Sequence, residues 1–157
     1  MSGRVETRLA NLGLTIPDTV APVANYVPAV RTGDLVVVSG QIPLVDGKPT
    51  FTGLLGETLS VEQGQAAARQ CAINLVAQIR AACDGDLDRV ARVVRLGVFV
   101  AATPDFTDHP KVANGASDLM VEVFGDLGRH ARAAVGCSSL PLGVPVEVEG
   151  LIQVTPL

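Results

Sequence analysis

Strand-like and helix-like patterns alternate along this 157-residue chain in the order ββ, α, β, α, ββ. The strand-like runs are rich in Val or alternate apolar with polar residues, and they span residues 26–30, 35–39, 90–101, 132–137 and 144–154. Two helices can cover only one face of the sheet that such strands build. The order therefore predicts a two-layer α+β fold, with a mixed β-sheet that carries two main helices on one face.

Both main helices show apolar residues at helical spacing. The first begins at Ser60 and Gln63, which resemble a capping box. The second begins near Pro110, which suits the first turn of a helix, and ends near Gly125. We expect one domain over residues 1–157, made of an N-terminal extension (residues 1–23) with a short helix and a core (residues 24–157).

The composition bears on what covers the second sheet face. Hydrophobic residues make up 48% of the chain and charged residues 18%, which favours an extra buried interface through self-association.

The longest uncharged stretch, residues 133–146, contains two prolines and is shorter than the roughly 20 residues that a membrane helix requires. The N-terminus lacks the apolar segment of a secretory signal. We therefore expect a cytoplasmic protein that does not span a membrane.

Charge and residue types restrict the possible partners. A net charge of −4 and an aromatic content of 3% disfavour nucleic acid. The exception is the basic cluster Arg129-His130-Ala131-Arg132, interpreted as a solvated turn before a strand. The three cysteines are predicted to be reduced, buried small hydrophobes. With only His109 and His130 available, no metal site and no cofactor are expected.

Polar residues set into apolar strands are the candidates for chemistry, because burying them is costly unless each has a partner. They are Ser39-Gly40-Gln41 at the end of one strand, Arg132 at the start of another, and Glu147 and Glu149 on the last. Taken alone, Arg132 also fits a surface cation at a strand end, the glutamates fit a solvated sheet face, and Tyr26 fits plain core. The nucleotide-binding and serine-hydrolase motifs are absent.

Taken in order, these positions resemble the RidA/YjgF family over residues 24–154. The matching segments are Tyr26, Gly33-Asp34, Ser39-Gly40-Gln41-Ile42-Pro43, Val98-Phe99-Val100, Asp105-Phe106, Asn114, Ala131-Arg132-Ala133-Ala134-Val135, Leu140-Pro141 and Val146-Glu147-Val148-Glu149. The resemblance implies a chorismate mutase-like fold and a homotrimer whose sheets form a central barrel. It also implies ligand clefts between subunits and hydrolysis of enamine or imine products, such as 2-aminoacrylate, to ketoacid and ammonia.

The same resemblance assigns roles to single residues. Arg132 would grip the substrate carboxylate in a bidentate fork, and Glu147 would hold and activate the attacking water. Tyr26, Ser39, Gly40 and Asn114 would shape the cleft. The backbone of Ala134 would hydrogen-bond the ligand.

The chain departs from the family pattern beside the arginine, where Ala133, Ala134 and Gly136 replace a serine, a cysteine and an acidic residue. Backbone hydrogen bonding survives an alanine, but thiol chemistry does not. An imine deaminase is therefore the leading hypothesis. A non-catalytic protein that binds a small carboxylate metabolite is the alternative, and the acidic charge disfavours an endoribonuclease.

Overall fold

The computed structural model describes residues 3–19 and 24–156. Its helices are α1 (Arg4–Leu12), α2 (Val61–Ala82) and α3 (His109–Phe124), with short 3-10 turns at Leu87–Arg89, Gly125–Gly128 and Pro141–Gly143. Its strands are β1 (Ala29–Thr32), β2 (Leu35–Gln41), β3 (Leu44–Val45), β4 (Lys48–Pro49), β5 (Val90–Ala101), β6 (Ala131–Cys137) and β7 (Val146–Val154). Among these described helices, none is long and apolar enough to cross a membrane.

The main sheet has the strand order β1-β2-β7-β5-β6, and β3 and β4 form a separate small hairpin. Strands β5 and β6 run parallel, whereas the other neighbours in the main sheet are antiparallel. The mixed sheet and the order of its main elements confirm the predicted α+β architecture. The β3–β4 hairpin was not predicted, because two-residue strands carry too little periodicity to detect.

The two main helices form as their sequences predict. The side chain of Ser60 accepts a hydrogen bond from the backbone N–H of Gln63 at 3.2 Å, and the Gln63 side chain accepts one from the Ser60 N–H at 2.9 Å. This capping box fixes the start of α2. The helices cross closely at Gly115 of α3, where an added Cβ would overlap the backbone carbonyl of Gln65 in α2. The crossing therefore requires glycine.

Both helices pack on one face of the sheet, here called the helix face. Strand β7 alternates strictly, with Val146, Val148 and Ile152 buried on the helix face and Glu147 and Glu149 on the opposite one. The opposite face, here called the open face, exposes apolar side chains. Val30 is 51% exposed, Val37 49% and Val135 49%. The prediction that two helices leave one face uncovered is confirmed.

Several predicted strand ends were wrong, including the end of β1 at Thr32 rather than at residue 30 and the start of β6 at Ala131 rather than at residue 132. Tyr26 lies in a bend rather than in a strand, and β1 begins only at Ala29, because Pro28 has no N–H for a strand ladder. Strand β7 begins at Val146 rather than at residue 144, after Pro145. Strand β2 continues to Gln41, because a β-bulge lets it resume pairing with β7 after residue 38.

The short helix expected in the N-terminal extension is present as α1, which ends at Leu12 with Gly13 as its C-cap. Its first turn is capped from a distant part of the chain, since the carboxylate of Asp88 accepts the backbone N–H groups of Arg4 at 2.7 Å and Val5 at 2.9 Å. Part of the N-terminal extension is thus fastened to the core. The sequence also predicts an irregular segment through Pro17 and Pro22 after this helix. That segment and the predicted boundary between residues 23 and 24 reach residues outside those described.

Candidate functional site

Arg132 stands at the second position of the edge strand β6 and points to the helix face, because it pairs with the buried Leu96 of β5. One nitrogen of its guanidinium, Nη1, donates to Asn114 Oδ1 at 2.8 Å and to Ser117 Oγ at 3.1 Å. Asn114 and Ser117 are three residues apart and therefore share one face of α3. The structure thus brings together two of the residues predicted for the site, Arg132 and Asn114.

The contacts of Arg132 leave one edge of the guanidinium available. Nη1 carries two hydrogens, and its two acceptors use both of them. The edge formed by Nε and Nη2 makes no hydrogen bond or ion pair with any described residue. That edge presents two parallel N–H groups, the geometry that matches a carboxylate in a bidentate fork.

His130 extends this cluster, and sequence reasoning missed its role. Its Nε2 lies 2.9 Å from Ser117 Oγ, and its Nδ1 lies 2.6 Å from the carbonyl oxygen of Gly128. The basic cluster at residues 129–132 is therefore not a fully solvated turn, as was predicted, because His130 turns inward. The one signal in the sequence was the three-residue spacing of Asn114 and Ser117, which places two polar side chains on the same face of α3.

Ala134 and Gly136 follow Arg132 on the same face of β6. Ala134 is half-buried against the core, and β6 is an edge strand whose outer side pairs with no other described strand. An added Cβ at Gly136 would overlap the imidazole of His109, which also packs edge-on against Phe106 with ring centroids 5.3 Å apart. The place of the family's acidic side chain is thus occupied by a histidine from α3.

Glu147 belongs to a second cluster, on the open face. The bulge in β2 places Ser39 and Gly40 opposite the single residue Glu149 of β7. An added Cβ at Gly40 would overlap the carboxylate of Glu147, so glycine makes room for that side chain. The structure therefore brings Gly40 and Glu147 into direct contact.

The surroundings of Glu147 favour its neutral form. Partial burial, and secondly the negative charge of Glu149, raise the pKa of the Glu147 carboxyl above its ordinary value. Glu149 itself forms an ion pair with Arg95 at 3.5 Å. A carboxyl group with a raised pKa is suited to exchange protons nearer neutral pH.

Ser39 joins this second cluster to the segment that carries Tyr26. Its hydroxyl donates to the carbonyl of Val27 at 3.2 Å, and its backbone N–H donates to the carbonyl of Pro28 at 2.8 Å. Tyr26 is 59% exposed, which rules out the core position considered for it.

The cysteines differ from one another. Cys71 and Cys83 are buried, as predicted, but Cys137 is only half-buried. Burial first, and then the nearby charge of Glu147, raise the pKa of the Cys137 thiol. Within the described part of the chain, His, Cys, Asp and Glu side chains form no group of three or more that could hold a metal ion.

The two clusters do not meet within one chain. Arg132 pairs with Leu96 of β5, and Glu147 pairs with Phe99 of the same strand, three residues further on. Because side chains alternate between faces along a strand, an odd separation places them on opposite faces. Arg132, Asn114 and Ala134 form a helix-face cluster, whereas Gly40 and Glu147 meet on the open face, and Ser39 connects their strand to the segment that carries Tyr26.

Comparison with other proteins gives relatives that span nearly the whole chain. Protein TCP17 of Trypanosoma cruzi is 53% identical over 153 residues, covering 97% of this chain and 95% of that protein. A 2-iminobutanoate/2-iminopropanoate deaminase of Dermatophagoides farinae is 27% identical over 142 residues, covering 90% of this chain and 94% of that protein.

Solved structures agree with the fold. Atu1372 of Agrobacterium tumefaciens, a protein of unknown function, is 47% identical with a TM-score of 0.90, covering 96% of this chain and 92% of its own. A candidate endoribonuclease of Shewanella oneidensis MR-1 is 35% identical with a TM-score of 0.92, covering 97% of this chain and 100% of its own. The model of the YjgF/chorismate mutase-like family of candidate endoribonucleases matches residues 6–149. This chain therefore belongs to the YjgF/chorismate mutase-like family.

Proposed function

We propose that this protein hydrolyses reactive 2-imino acids and their enamine tautomers to ketoacid and ammonia. The observation that carries the proposal is the guanidinium of Arg132, which is anchored through Nη1 and presents its Nε–Nη2 edge for a carboxylate. The deaminase of Dermatophagoides farinae, which is named for 2-imino acid substrates, supports the choice of reaction.

The reaction needs few groups. Arg132 holds the carboxylate, so that the electrophilic imine carbon is fixed in one place. Water adds to that carbon, and Glu147 takes a proton from the water and returns it to nitrogen, which gives a carbinolamine. Glu147 then takes the remaining hydroxyl proton and passes it to the amine, so that the C–N bond breaks, ammonia leaves and the carbonyl of the ketoacid forms. Positioning together with one carboxyl group of raised pKa is sufficient chemistry for an already activated substrate.

A complete site of this kind requires two copies of the chain, because Arg132 and Glu147 lie on opposite faces of the sheet. We propose a homotrimer in which the open faces meet, with one subunit contributing Arg132, Asn114 and the backbone of Ala134 to each cleft. The neighbour would contribute Glu147, Gly40 and the segment of Tyr26 and Ser39. The exposed valines of the open face supply the apolar area that such assembly buries.

A second function, binding of a small carboxylate without turnover, is favoured by the composition of the helix-face cluster. Hydrogen bonds that do not involve Glu147 connect Arg132 to Asn114 and Ser117. The neighbouring Ala133 and Ala134 carry no reactive side chain. Cleavage of RNA has less support. The net charge is −4, and His130 of the basic cluster is engaged by Ser117 and Gly128.

The test is ammonia release from imines made in place by amino acid oxidases or dehydratases. Arg132→Ala is expected to lower kcat/KM for carboxylate-bearing imines by roughly 30- to 150-fold, because two charge-assisted hydrogen bonds worth about 2 to 3 kcal/mol are lost. Arg132→Lys should recover only part of this loss, since a point charge cannot reproduce the fork.

An imine without a carboxylate is the control, and wild type and Arg132→Ala should hydrolyse it equally. Binding of the product ketoacid without any acceleration of imine hydrolysis would identify the second function instead. Unchanged turnover of carboxylate-bearing imines in a folded Arg132→Ala protein would show that Arg132 is structural and would contradict the binding cleft assigned to it.

A further inference from the structure

A chain of four groups connects the backbone of Gly128 to the guanidinium of Arg132. The Gly128 carbonyl lies 2.6 Å from Nδ1 of His130, His130 Nε2 lies 2.9 Å from Ser117 Oγ, and Ser117 Oγ lies 3.1 Å from Arg132 Nη1. Gly128 ends the 3-10 turn, Ser117 lies on α3 and Arg132 lies on β6, while His130 lies between the turn and β6. The chain therefore ties three separate elements together beside the proposed carboxylate site.

The chemistry of the groups constrains the direction of these hydrogen bonds. A carbonyl oxygen only accepts, so Nδ1 of His130 carries a proton and donates to Gly128. In the tautomer whose single proton is on Nδ1, Nε2 accepts the hydroxyl proton of Ser117. Ser117 Oγ is left as an acceptor, which is what the N–H of Arg132 requires.

We propose that His130 is a positioning residue for Arg132 and acts through Ser117. By fixing the Ser117 hydroxyl as an acceptor, His130 holds Nη1 in place, and the Nε–Nη2 edge is thereby turned toward the ligand. The ligands are those of the proposed function, small 2-imino or 2-oxo carboxylates. The inference rests on that function only for the identity of the ligand.

Ser117 and His130 also have the spacing of a nucleophile and its base. The hydroxyl oxygen, however, accepts a hydrogen bond from the cationic Arg132, which draws electron density away from the atom that would attack. The arrangement therefore suits orientation of the guanidinium better than covalent catalysis.

The primary experiment follows the side chain of Arg132 by ¹H–¹⁵N NMR in the ligand-free full-length protein. In wild type, the Arg132 Nε–H and Nη signals should show slow rotation of the guanidinium. His130→Ala and Ser117→Ala should both increase that rotation, and Ser117→Thr, which keeps the hydroxyl, should restore the wild-type signals. Because no ligand is present, this measurement stands even if the proposed reaction is wrong.

The second measurement is calorimetric binding of 2-oxobutanoate. His130→Ala and Ser117→Ala should each weaken binding about five- to tenfold, since one orienting hydrogen bond is removed. The double variant should bind no more weakly than either single variant, because both act through one chain. Arg129→Ala is the matched control, since this neighbour is exposed and pairs with Asp126 instead. It should change neither measurement.

The possible results distinguish the positioning role of His130 from the proposed function. If Arg132 keeps its slow rotation in both His130→Ala and Ser117→Ala, the positioning role is excluded whatever the binding data show. If only stability falls while rotation and binding stay at wild-type values, His130 is merely structural and the inference is also overturned. Equal binding of 2-oxobutanoate by wild type and Arg132→Ala would remove the carboxylate-binding role of Arg132 on which the proposed function rests, while the NMR result would still decide the role of His130.

Discussion

Arg132 and Glu147 face opposite sides of the same β-sheet, with Arg132 paired to Leu96 and Glu147 paired to Phe99 of strand β5. The sheet between them is filled by buried residues such as Val98 and Val148. No rotation of either side chain can therefore bring the carboxylate to the guanidinium within one chain. If both groups act on one substrate, the substrate must lie between two copies.

The pH dependence of deamination should report the ionisation of Glu147. Burial first, and then Glu149, raise its pKa above the ordinary value, so the proton-accepting form is lost at higher pH than for an exposed glutamate. We expect the acidic limb of kcat/KM to lie above the ordinary pKa range of glutamate. Glu149→Gln should move this limb to lower pH, because a neighbouring negative charge is removed.

Glu122→Gln is the control for this shift, because Glu122 lies on α3 and pairs with Arg69 instead. Its acidic limb should stay at the wild-type position. Glu147→Gln should lower kcat by roughly 100-fold or more, since the amide cannot take a proton. A Glu147→Gln protein with full activity would remove this residue from the mechanism.

The open face should be the surface through which the chain assembles. Val37 lies on this face and pairs with Leu151 of β7. Val37→Glu should weaken assembly by roughly 100-fold or more, because burying an unpaired carboxylate costs about 3 kcal/mol or more per copy. Light scattering coupled to gel filtration should show a trimer for wild type and smaller species for the variant.

Ala10→Glu is the matched control, because Ala10 is exposed on α1, away from the sheet. This protein should remain trimeric. A wild-type chain that stays monomeric at micromolar concentration would contradict the proposed assembly, and so would an unchanged Val37→Glu oligomer.

Asp88 should stabilise the fold as a remote cap of α1. Backbone N–H groups, first that of Val5 and then that of Arg4, help hold the pKa of Asp88 below its ordinary value. A carboxyl group whose pKa is lowered by folding stabilises the protein above its unfolded pKa, and this contribution disappears as the pH falls through the folded pKa. Asp88→Ala should reduce the free energy of unfolding by about 1 kcal/mol at neutral pH.

Urea unfolding at a series of pH values measures this difference. It should shrink toward zero as the solution is acidified, because wild type also loses the charged cap. Asp86→Ala is the control, because it removes a neighbouring carboxylate that caps only the adjacent 3-10 turn. It separates the loss of the α1 cap from the loss of a nearby negative charge. A difference between wild type and Asp88→Ala that grows on acidification would contradict the capping role.

Much of the fold could be predicted from local patterns. The capping box at Ser60 and Gln63 determines where α2 begins, and the alternation of Val146 through Val154 determines which side of β7 is buried. The failures occurred where a single backbone group decides the outcome. Pro28 delays β1 beyond Tyr26, and the bulge at Ser39 and Gly40 changes how β2 pairs with β7. Periodicity does not encode these events.

The candidate site was predictable to a smaller extent. Family resemblance selected Arg132 and Asn114, which the fold brings within 2.8 Å of each other. It did not select Ser117 or His130, because their importance lies in hydrogen bonds between α3 and β6 that no local pattern contains. The separation of Arg132 from Glu147 also became visible only from strand register, since both positions were identified without knowing which faces they share.

The most direct test of the shared site is complementation between two inactive variants. Arg132→Ala and Glu147→Gln subunits would be unfolded, mixed in equal amounts and refolded together, with each variant refolded alone as the control. In a mixed trimer, an intact Arg132 of one subunit can meet an intact Glu147 of its neighbour. About one quarter of the clefts should then be complete, because each draws its two halves from independently chosen subunits. The account predicts recovery of imine hydrolysis to about that fraction of the wild-type rate. Mixed trimers that assemble but remain as inactive as the separate variants would contradict it.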